Sequence, residues 1–279
     1  VILINGISTA AISLNDRGLN YGDGVFETLA VVDNRPQHWE RHLHRLRDGA
    51  HRLGISPPSD LDWWADFRSL QKLHAPSPRS VLKLMLTRGE GGRGYAPPVT
   101  PQPTRIVRLL EWPTWPATLA DTGVRVAICR TRLGRNPALA GIKHLNRLEQ
   151  VLASAEIAAL EGIQDGIMLD VENNVIESTK ANLFVVKNGG LLTPQLHHAG
   201  ICGVMRELIL EEARRSGLPV FETSMCLSAV SEADEAFLCN SLIGIWPIRT
   251  IESTERYHFE IGPITQWLQQ ALKKGDWTP

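Results

Sequence analysis

Cysteine is scarce in this sequence. The four residues, Cys129, Cys202, Cys226 and Cys239, are widely spaced and form no Cys-x-x-Cys pair or His-Cys cluster, which argues against a disulfide framework and a structural zinc site. Charge of one sign is lacking too: 29 Lys and Arg stand against 30 Asp and Glu, for a net charge of −1. The basic residues are scattered, so no electrostatic field calls for nucleic acid and no polybasic tract for a membrane surface. No apolar run approaches the roughly 20 residues of a membrane span. Val1-Ile2-Leu3-Ile4 gives way at once to Asn5-Gly6, so no signal peptide is expected. These absences predict a cytoplasmic, reduced, soluble protein that meets a small-molecule substrate in a local pocket.

Several catalytic signatures are missing as well. There is no Gly-x-Ser-x-Gly elbow. The glycine-rich Arg88-Gly89-Glu90-Gly91-Gly92-Arg93-Gly94-Tyr95 lacks the lysine and following helix of a P-loop and does not make a Rossmann fingerprint. It reads either as a plain hairpin loop or as a mobile loop that offers Arg93 and Tyr95 to a ligand. His42 and His44 do not share a helix face, and His197-His198 stand in a turn, so no metal is expected.

What is present is ample apolar residue, 43% of 279, enough for a core of one large domain or two modest ones. Residues 12–14, 25–32, 81–87 and 105–111 read as strands, with helices over the Leu43, Leu46, Ala50, Leu53 periodicity and over residues 61–73. Trp112-Pro113-Thr114-Trp115-Pro116 breaks any regular element. It marks residues 113–122 as a linker between a smaller α/β domain, 1–112, and a larger one, 123–279. In the latter, strand 124–130 precedes an amphipathic helix over about 146–160 that carries Leu148, Val151, Leu152, Ala155 and Ala159. Strands at 166–170, 175–177 and 182–186, a helix from Gly203 to about Ser216, strands at 235–239 and 245–248, and a terminal helix over 264–274 complete the pattern. Strands clustered between helices predict an α+β fold with mixed sheets and flanking helices.

Lys143, in Ala140-Gly141-Ile142-Lys143-His144-Leu145-Asn146-Arg147, is ordinary in isolation. Apolar Leu139, Ile142 and Leu145 surround it, however, and desolvation makes a lysine amine available for a Schiff base. Glu177 closes a strand, either as an exposed strand end or as a carboxylate able to hold a pyridinium nitrogen. Arg45 lies beside Arg41 and Arg47, as part of a solvated basic face or as a phosphate clamp. Gly203-Val204-Met205 opens a helix whose free N–H groups suit a phosphate, and Asn240 and Ser241 follow a strand as possible donors. Jointly these residues point to pyridoxal 5′-phosphate.

The chain resembles the fold-type IV pyridoxal-phosphate enzymes, the group of branched-chain and D-amino-acid transaminases and of 4-amino-4-deoxychorismate lyase. The shared features are Tyr21-Gly22-Asp23-Gly24-Val25-Phe26-Glu27, the His42-Leu43-His44-Arg45-Leu46 helix, Lys143 with Asn146, and Glu177 ahead of Asn182-Leu183-Phe184. The resemblance implies a two-domain homodimer in which Lys143 carries the cofactor, Glu177 holds its ring nitrogen, Arg45 binds its phosphate, and Val204, Met205 and Ser241 take phosphate-loop positions. Two longer stretches, 132–152 and 88–95, resemble the lyase branch. They imply conversion of 4-amino-4-deoxychorismate to 4-aminobenzoate and pyruvate, with aminotransfer to D-amino or branched-chain acids as the alternative. On that reading Arg93, Tyr95, Arg147 and Asn240 meet the substrate, and Arg147 is also placed beside the cofactor. A non-catalytic member that only binds the cofactor or a partner is a further alternative. Segment 253–259 maps to no role.

Overall fold

Strands with one apolar face build the first of two units into which the chain divides, Val1–Pro113 together with Ile142–Asn146. The computed structural model describes residues 1–73 and 77–273. In chain order the first unit contains β1 (Ile2–Ile4), β2 (Ile7–Ser8), α1 (Arg17–Tyr21), β3 (Gly24–Val32), β4 (Arg35–Pro36), α2 (Trp39–Arg52), α3 (Asp60–Leu73), β5 (Arg79–Thr87) and β6 (Thr104–Glu111). The sheet order is β2-β1-β6-β5-β3-β4, antiparallel at every pairing. Leu43, Leu46 and Ala50 on α2 and Trp63, Phe67 and Leu70 on α3 are buried against Leu29, Leu82, Leu84 and Val107 of the sheet. Gly54, at φ +67°, ends α2 in the left-handed conformation that glycine adopts without cost.

The second unit, Thr114–Gly141 with Arg147–Pro279, contains α4 (Leu119–Thr122), β7 (Val124–Ile128), α5 (Leu148–Ala158), β8 (Asp165–Leu169), β9 (Val175–Ser178), β10 (Asn182–Lys187), β11 (Gly190–Pro194), α6 (Val204–Arg215), β12 (Val220–Thr223), α7 (Leu227–Ser231), β13 (Glu235–Asn240), β14 (Gly244–Glu252), β15 (Arg256–His258) and α8 (Pro263–Lys273). Its sheet runs β12-β11-β10-β13-β14-β7-β8-β9, with β15 paired to β14. It is mixed: β11–β12, β14–β7 and β7–β8 are parallel and the remaining pairings antiparallel. The α+β class with mixed sheets and flanking helices is therefore what the chain adopts.

Several local expectations need correction. Residues 12–14 form no strand. The short β11 and β12 lie where none was expected, because runs so brief are recognisable only once a partner supplies their hydrogen bonds. The helix expected over 146–160 spans Leu148–Ala158, since Asn146 is engaged elsewhere. Its apolar face is also not buried: Leu148, Val151 and Leu152 are 75%, 60% and 58% exposed, and Ala153 and Ile157 pack instead. Residues 113–122 include α4, and Trp115 packs edge-on against Trp246 at 5.4 Å. The expected end of the terminal helix, Lys274, lies outside the described residues. Segment 253–259 supplies β15 and the buried Phe259. Among the described residues, no helix is long and apolar enough to cross a membrane.

Buried Glu235 caps α8: its two carboxylate oxygens accept from the N–H groups of Ile264 (3.1 Å) and Thr265 (2.7 Å). Two otherwise orphaned helix donors depend on that side chain. Glu235→Ala is expected to lower stability by about 1–2 kcal/mol. A urea titration would show the loss, together with faster amide exchange at residues 264 and 265; an unshifted midpoint would refute it.

Candidate active site

Lys143 owes its place to the backbone of β3. The Phe26 N–H donates to the Lys143 carbonyl (3.0 Å) and the Leu145 N–H to the Gly24 carbonyl (2.9 Å), so residues 142–146 lie antiparallel along the start of the strand. Two glycines make this approach possible. A Cβ on Gly24 would come within 2.8 Å of Leu145 and one on Gly22 within 2.7 Å of Asn146. The Asn146 amide donates back to the Gly22 carbonyl (3.0 Å). The Tyr21-Gly22-Asp23-Gly24 motif is thus the seat of the lysine tract. Lys143 is half-buried, and its Nζ lies 4.4 Å from the centre of the Phe26 ring.

The next residue of β3, Glu27, is fully buried. Its Oε1 accepts from Arg45 Nε (2.7 Å), while Oε2 accepts from Arg45 Nη2 (2.6 Å) and meets His42 Nδ1 at 2.6 Å. Burial alone would raise the pKa of this carboxyl, but the charges and hydrogen bonds of Arg45 and His42 outweigh it and bring it down to about 2. Burial lowers the pKa of His42 below its ordinary value, against the pull of Glu27. Arg45 is therefore not part of a solvated basic face but a guanidinium fixed in a two-point grip.

Arg93 and Tyr95 stand in a loop that is held, rather than mobile as one reading of the sequence expected. At its base the Arg88 guanidinium bonds both Asp23 oxygens (2.7 and 3.0 Å) and the carbonyls of Leu53 and Gly54. Near its tip Arg17 donates to the carbonyls of Gly94, Tyr95 and Ala96. The Tyr95 ring meets Tyr21 edge-on at 5.5 Å yet is 86% exposed. Arg93, also exposed, lines an open cavity of about 360 Å³ with Asn15, Asn20 and Tyr21.

In the second unit Glu177, on β9, is buried. Its Oε2 accepts from the Ile201 N–H (2.8 Å) and its Oε1 lies 3.5 Å from the Gln150 amide. The exposed-strand-end reading is thereby excluded. Burial lowers the pKa of Arg147, while the charges of Glu177 and Glu149 counter it. Asn182 donates to the Ile201 carbonyl (2.9 Å), so β10 holds the segment that leads into α6. A Cβ on Gly203 would fall 2.1 Å from Asn182 Oδ1. The N-cap of α6, Gly203, has no side chain of its own to cap the helix, whose first N–H groups lie around Val204 and Met205. Asn240 donates to the Lys180 carbonyl (3.0 Å), and its oxygen accepts from the N–H groups of Leu242 and Ile243. Its amide therefore shapes the turn that carries Ser241.

The first unit thus contains Lys143, Arg45, Arg93 and Tyr95, and the second Glu177, Arg147, Val204, Met205, Asn240 and Ser241; Lys143 and Arg45 do not line the cavity that Arg93 lines. In the sequence Glu27 and Asp23 stand out only as members of the Tyr21–Glu27 motif, and Arg17 carries no signal of its own. Glu27 carried a usable signal, an acid inside an apolar strand that must find a cation when buried. Among the described residues no group of three or more His, Cys, Asp or Glu is placed to hold a metal ion.

A profile of the amino-transferase class IV family matches residues 24–251. The chain is 38% identical to an aminodeoxychorismate lyase of Vibrio harveyi, over 96% of this chain and 98% of that one. It superposes with a TM-score of 0.92 on the crystal structure of 4-amino-4-deoxychorismate lyase from Pseudomonas aeruginosa, at 42% identity and 99% coverage of both chains. The branched-chain amino acid aminotransferase of Escherichia coli is more distant, at 25% identity, a TM-score of 0.83, and 97% and 92% coverage.

The Glu27 site carries a pH dependence. Its folded-state pKa of about 2 lies below the ordinary 4.5, so the unfolded chain binds more protons in that interval. The stabilisation is fully present above about pH 4.5 and is lost as pH falls towards 2, amounting to roughly 3 kcal/mol. Denaturation midpoints across this window should fall steeply for the parent and less steeply for Glu27→Gln. Parallel curves would show that the Arg45–Glu27 pair does not contribute.

Proposed function

The chain belongs to the amino-transferase class IV family, and from that premise we propose that it is a pyridoxal-phosphate enzyme cleaving 4-amino-4-deoxychorismate to 4-aminobenzoate and pyruvate. The observation that carries this reading is the conjunction of Lys143 seated on the Tyr21–Gly24 turn with full-length likeness to lyases at 38–42% identity. Aminotransfer from branched-chain amino acids has the weaker support of relatives at 31% and 25% identity. The intact Lys143, Arg45 and Glu177 speak against a non-catalytic binder.

The residues suit the cofactor chemically. Arg45 is a fixed guanidinium, α6 begins at the glycine N-cap Gly203, and Glu177 is a buried carboxylate. We assign the phosphate to Arg45, to the N–H groups at Val204 and Met205, and to Ser241. Glu177 is assigned to the ring nitrogen and Arg147 to the side of the ring hydroxyl. When bound, the group supplies an aldehyde carbon for an amine and a ring that withdraws electrons.

Lys143 would hold the cofactor covalently and, freed by the substrate amine, would act as the base that removes the proton from substrate C4. The enolpyruvyl group then leaves C3, the ring becomes aromatic, and Lys143 Nζ returns a proton to the leaving group, giving pyruvate. Such positioned proton transfer contributes typically about 10²–10⁴-fold. Glu177, held by the Ile201 N–H (2.8 Å), would supply a fixed negative charge to a protonated ring nitrogen. Arg93, Tyr95 and Arg147 are assigned to the two substrate carboxylates. Asn240, whose amide is already committed to the turn, acts through the position of Ser241. We further propose a cytoplasmic homodimer, supported by the exposed apolar stripe Leu148, Val151 and Leu152 on α5.

Incubation with freshly prepared aminodeoxychorismate should release pyruvate without any keto-acid acceptor; dependence on 2-oxoglutarate would favour the aminotransferase. Lys143→Ala is expected to abolish nearly all turnover. Glu177→Gln should keep cofactor but slow proton removal, whereas Arg45→Ala should lose cofactor on dialysis. The reverse pattern for the last two would overturn the assignments. Light scattering should report a dimer, and a fully active species of the 30.9 kDa chain mass would reject it.

A further inference from the structure

Arg17 has no part in the chemistry above, yet its guanidinium is among the most heavily engaged in the first unit. It is buried, at 4% exposure. Its Nε donates to Asp23 Oδ2 (2.9 Å), Nη1 to the carbonyls of Gly94 (3.1 Å) and Ala96 (3.3 Å), and Nη2 to that of Tyr95 (2.6 Å). Three consecutive carbonyls of one loop therefore converge on one planar fork, an arrangement that lysine's single ammonium cannot reproduce. The guanidinium also lies 4.9 Å from the centre of the Tyr21 ring, the ring that Tyr95 meets edge-on.

Two further features show that the loop and the arginine are fitted to each other. A Cβ on Gly91 would fall 2.5 Å from Arg17 Cδ, so only glycine lets the backbone pass over the side-chain stem, while a Cβ on Gly92 would meet nothing within 4 Å. Asp23 Oδ2, the anchor of Arg17, also takes Arg88 Nε at 2.7 Å. One carboxylate thus fixes both the arginine at the loop's base and the arginine at its tip. Asp23 is kept ionised: burial would raise its pKa, and Arg88 and Arg17 bring it below its ordinary value. Between those fixed points only Gly92 and Arg93 remain unconstrained by the clasp.

We infer that Arg17, held by Asp23, is a positioning residue that sets the 88–96 loop so that Arg93 is presented to the substrate carboxylate. The inference rests on the proposed substrate-side role of Arg93. Arg17 also lines the cavity that Arg93 lines, but its guanidinium is taken up by Asp23 and the loop carbonyls, and the consequence is that it acts on substrate binding through Arg93. An arginine loop free to swing would have to be ordered at each binding event, a cost the clasp removes in advance.

The test is a double-mutant cycle on the holoenzyme, with amide exchange over residues 89–96 measured in parallel. Arg17→Gln should raise KM by about tenfold, with kcat and cofactor absorbance little changed. It should also speed exchange in that segment. Arg93→Ala should raise KM comparably, and the double variant should be no worse than Arg93→Ala alone. KM effects that multiply in the double variant, or an Arg17→Gln KM equal to the parent's, would overturn the inference while leaving Arg93's role intact. An Arg93→Ala KM equal to the parent's would instead overturn the substrate-side reading, and the inference with it. Arg17→Lys, which keeps the charge but loses the fork, repeats the cycle if Arg17→Gln does not fold. It should recover only part of the parent's KM, and full recovery would show that charge alone suffices.

Discussion

The short antiparallel contact between residues 142–146 and the start of β3 is the constraint on which the first unit's chemistry depends. A lysine side chain has four rotatable carbons and a strongly hydrated head, and left to itself it would point to solvent. Here its own carbonyl is bound by the Phe26 N–H, and the tract is locked on its other side by Leu145 and Asn146. The backbone, not the side chain, does the placing. That is why the glycines at 22 and 24 matter: each removes a Cβ that would stand inside the path of the tract.

From that strand the unit's buried charges follow in a regular way. Two acids flank the lysine's seat, Asp23 before β3 and Glu27 within it, and each holds arginine. Glu27 holds Arg45 of α2, and Asp23 holds Arg17 of α1 and Arg88 at the exit of β5. A buried guanidinium without a carboxylate would be costly, and so would the reverse. Pairing lets the chain keep several cations close to a lysine without folding against an excess of charge. It also separates tasks, since one acid serves the arginine proposed for the phosphate and the other the two arginines bonded to the 88–96 loop and its base.

In the second unit the same economy is reached with backbone. Glu177 is held by the Ile201 N–H, Asn182 by the carbonyl of that same residue, and the chain then enters α6 at Gly203. A buried carboxylate and a helix start are thereby held to one short segment. Asn240 performs a comparable service for the β13–β14 turn, tying it to Lys180.

The strands β3, β5, β6, β10 and β13 and the helices α2, α3 and α6 were legible because their apolar spacing is long enough to distinguish period 2 from period 3.6. Lys143, Glu177 and Arg45 were legible as a constellation because their residue types and motif neighbours are unusual together. The strands β11 and β12, and the exposure of Leu148, Val151 and Leu152, were not. Short runs take their state from a partner strand, and an apolar helical face does not say what covers it. Arg17 was hidden for the same reason: its partners, Asp23 and the carbonyls of residues 94–96, are brought to it only by the fold. Residue type and periodicity are local properties, and so the sequence alone determined the longer strands and helices and which residue types are available as candidates for chemistry. Hydrogen-bond partnership between distant segments is not local, and only tertiary structure decided that Glu27 grips Arg45, that the glycine loop is clasped, and that the lysine's seat is a strand.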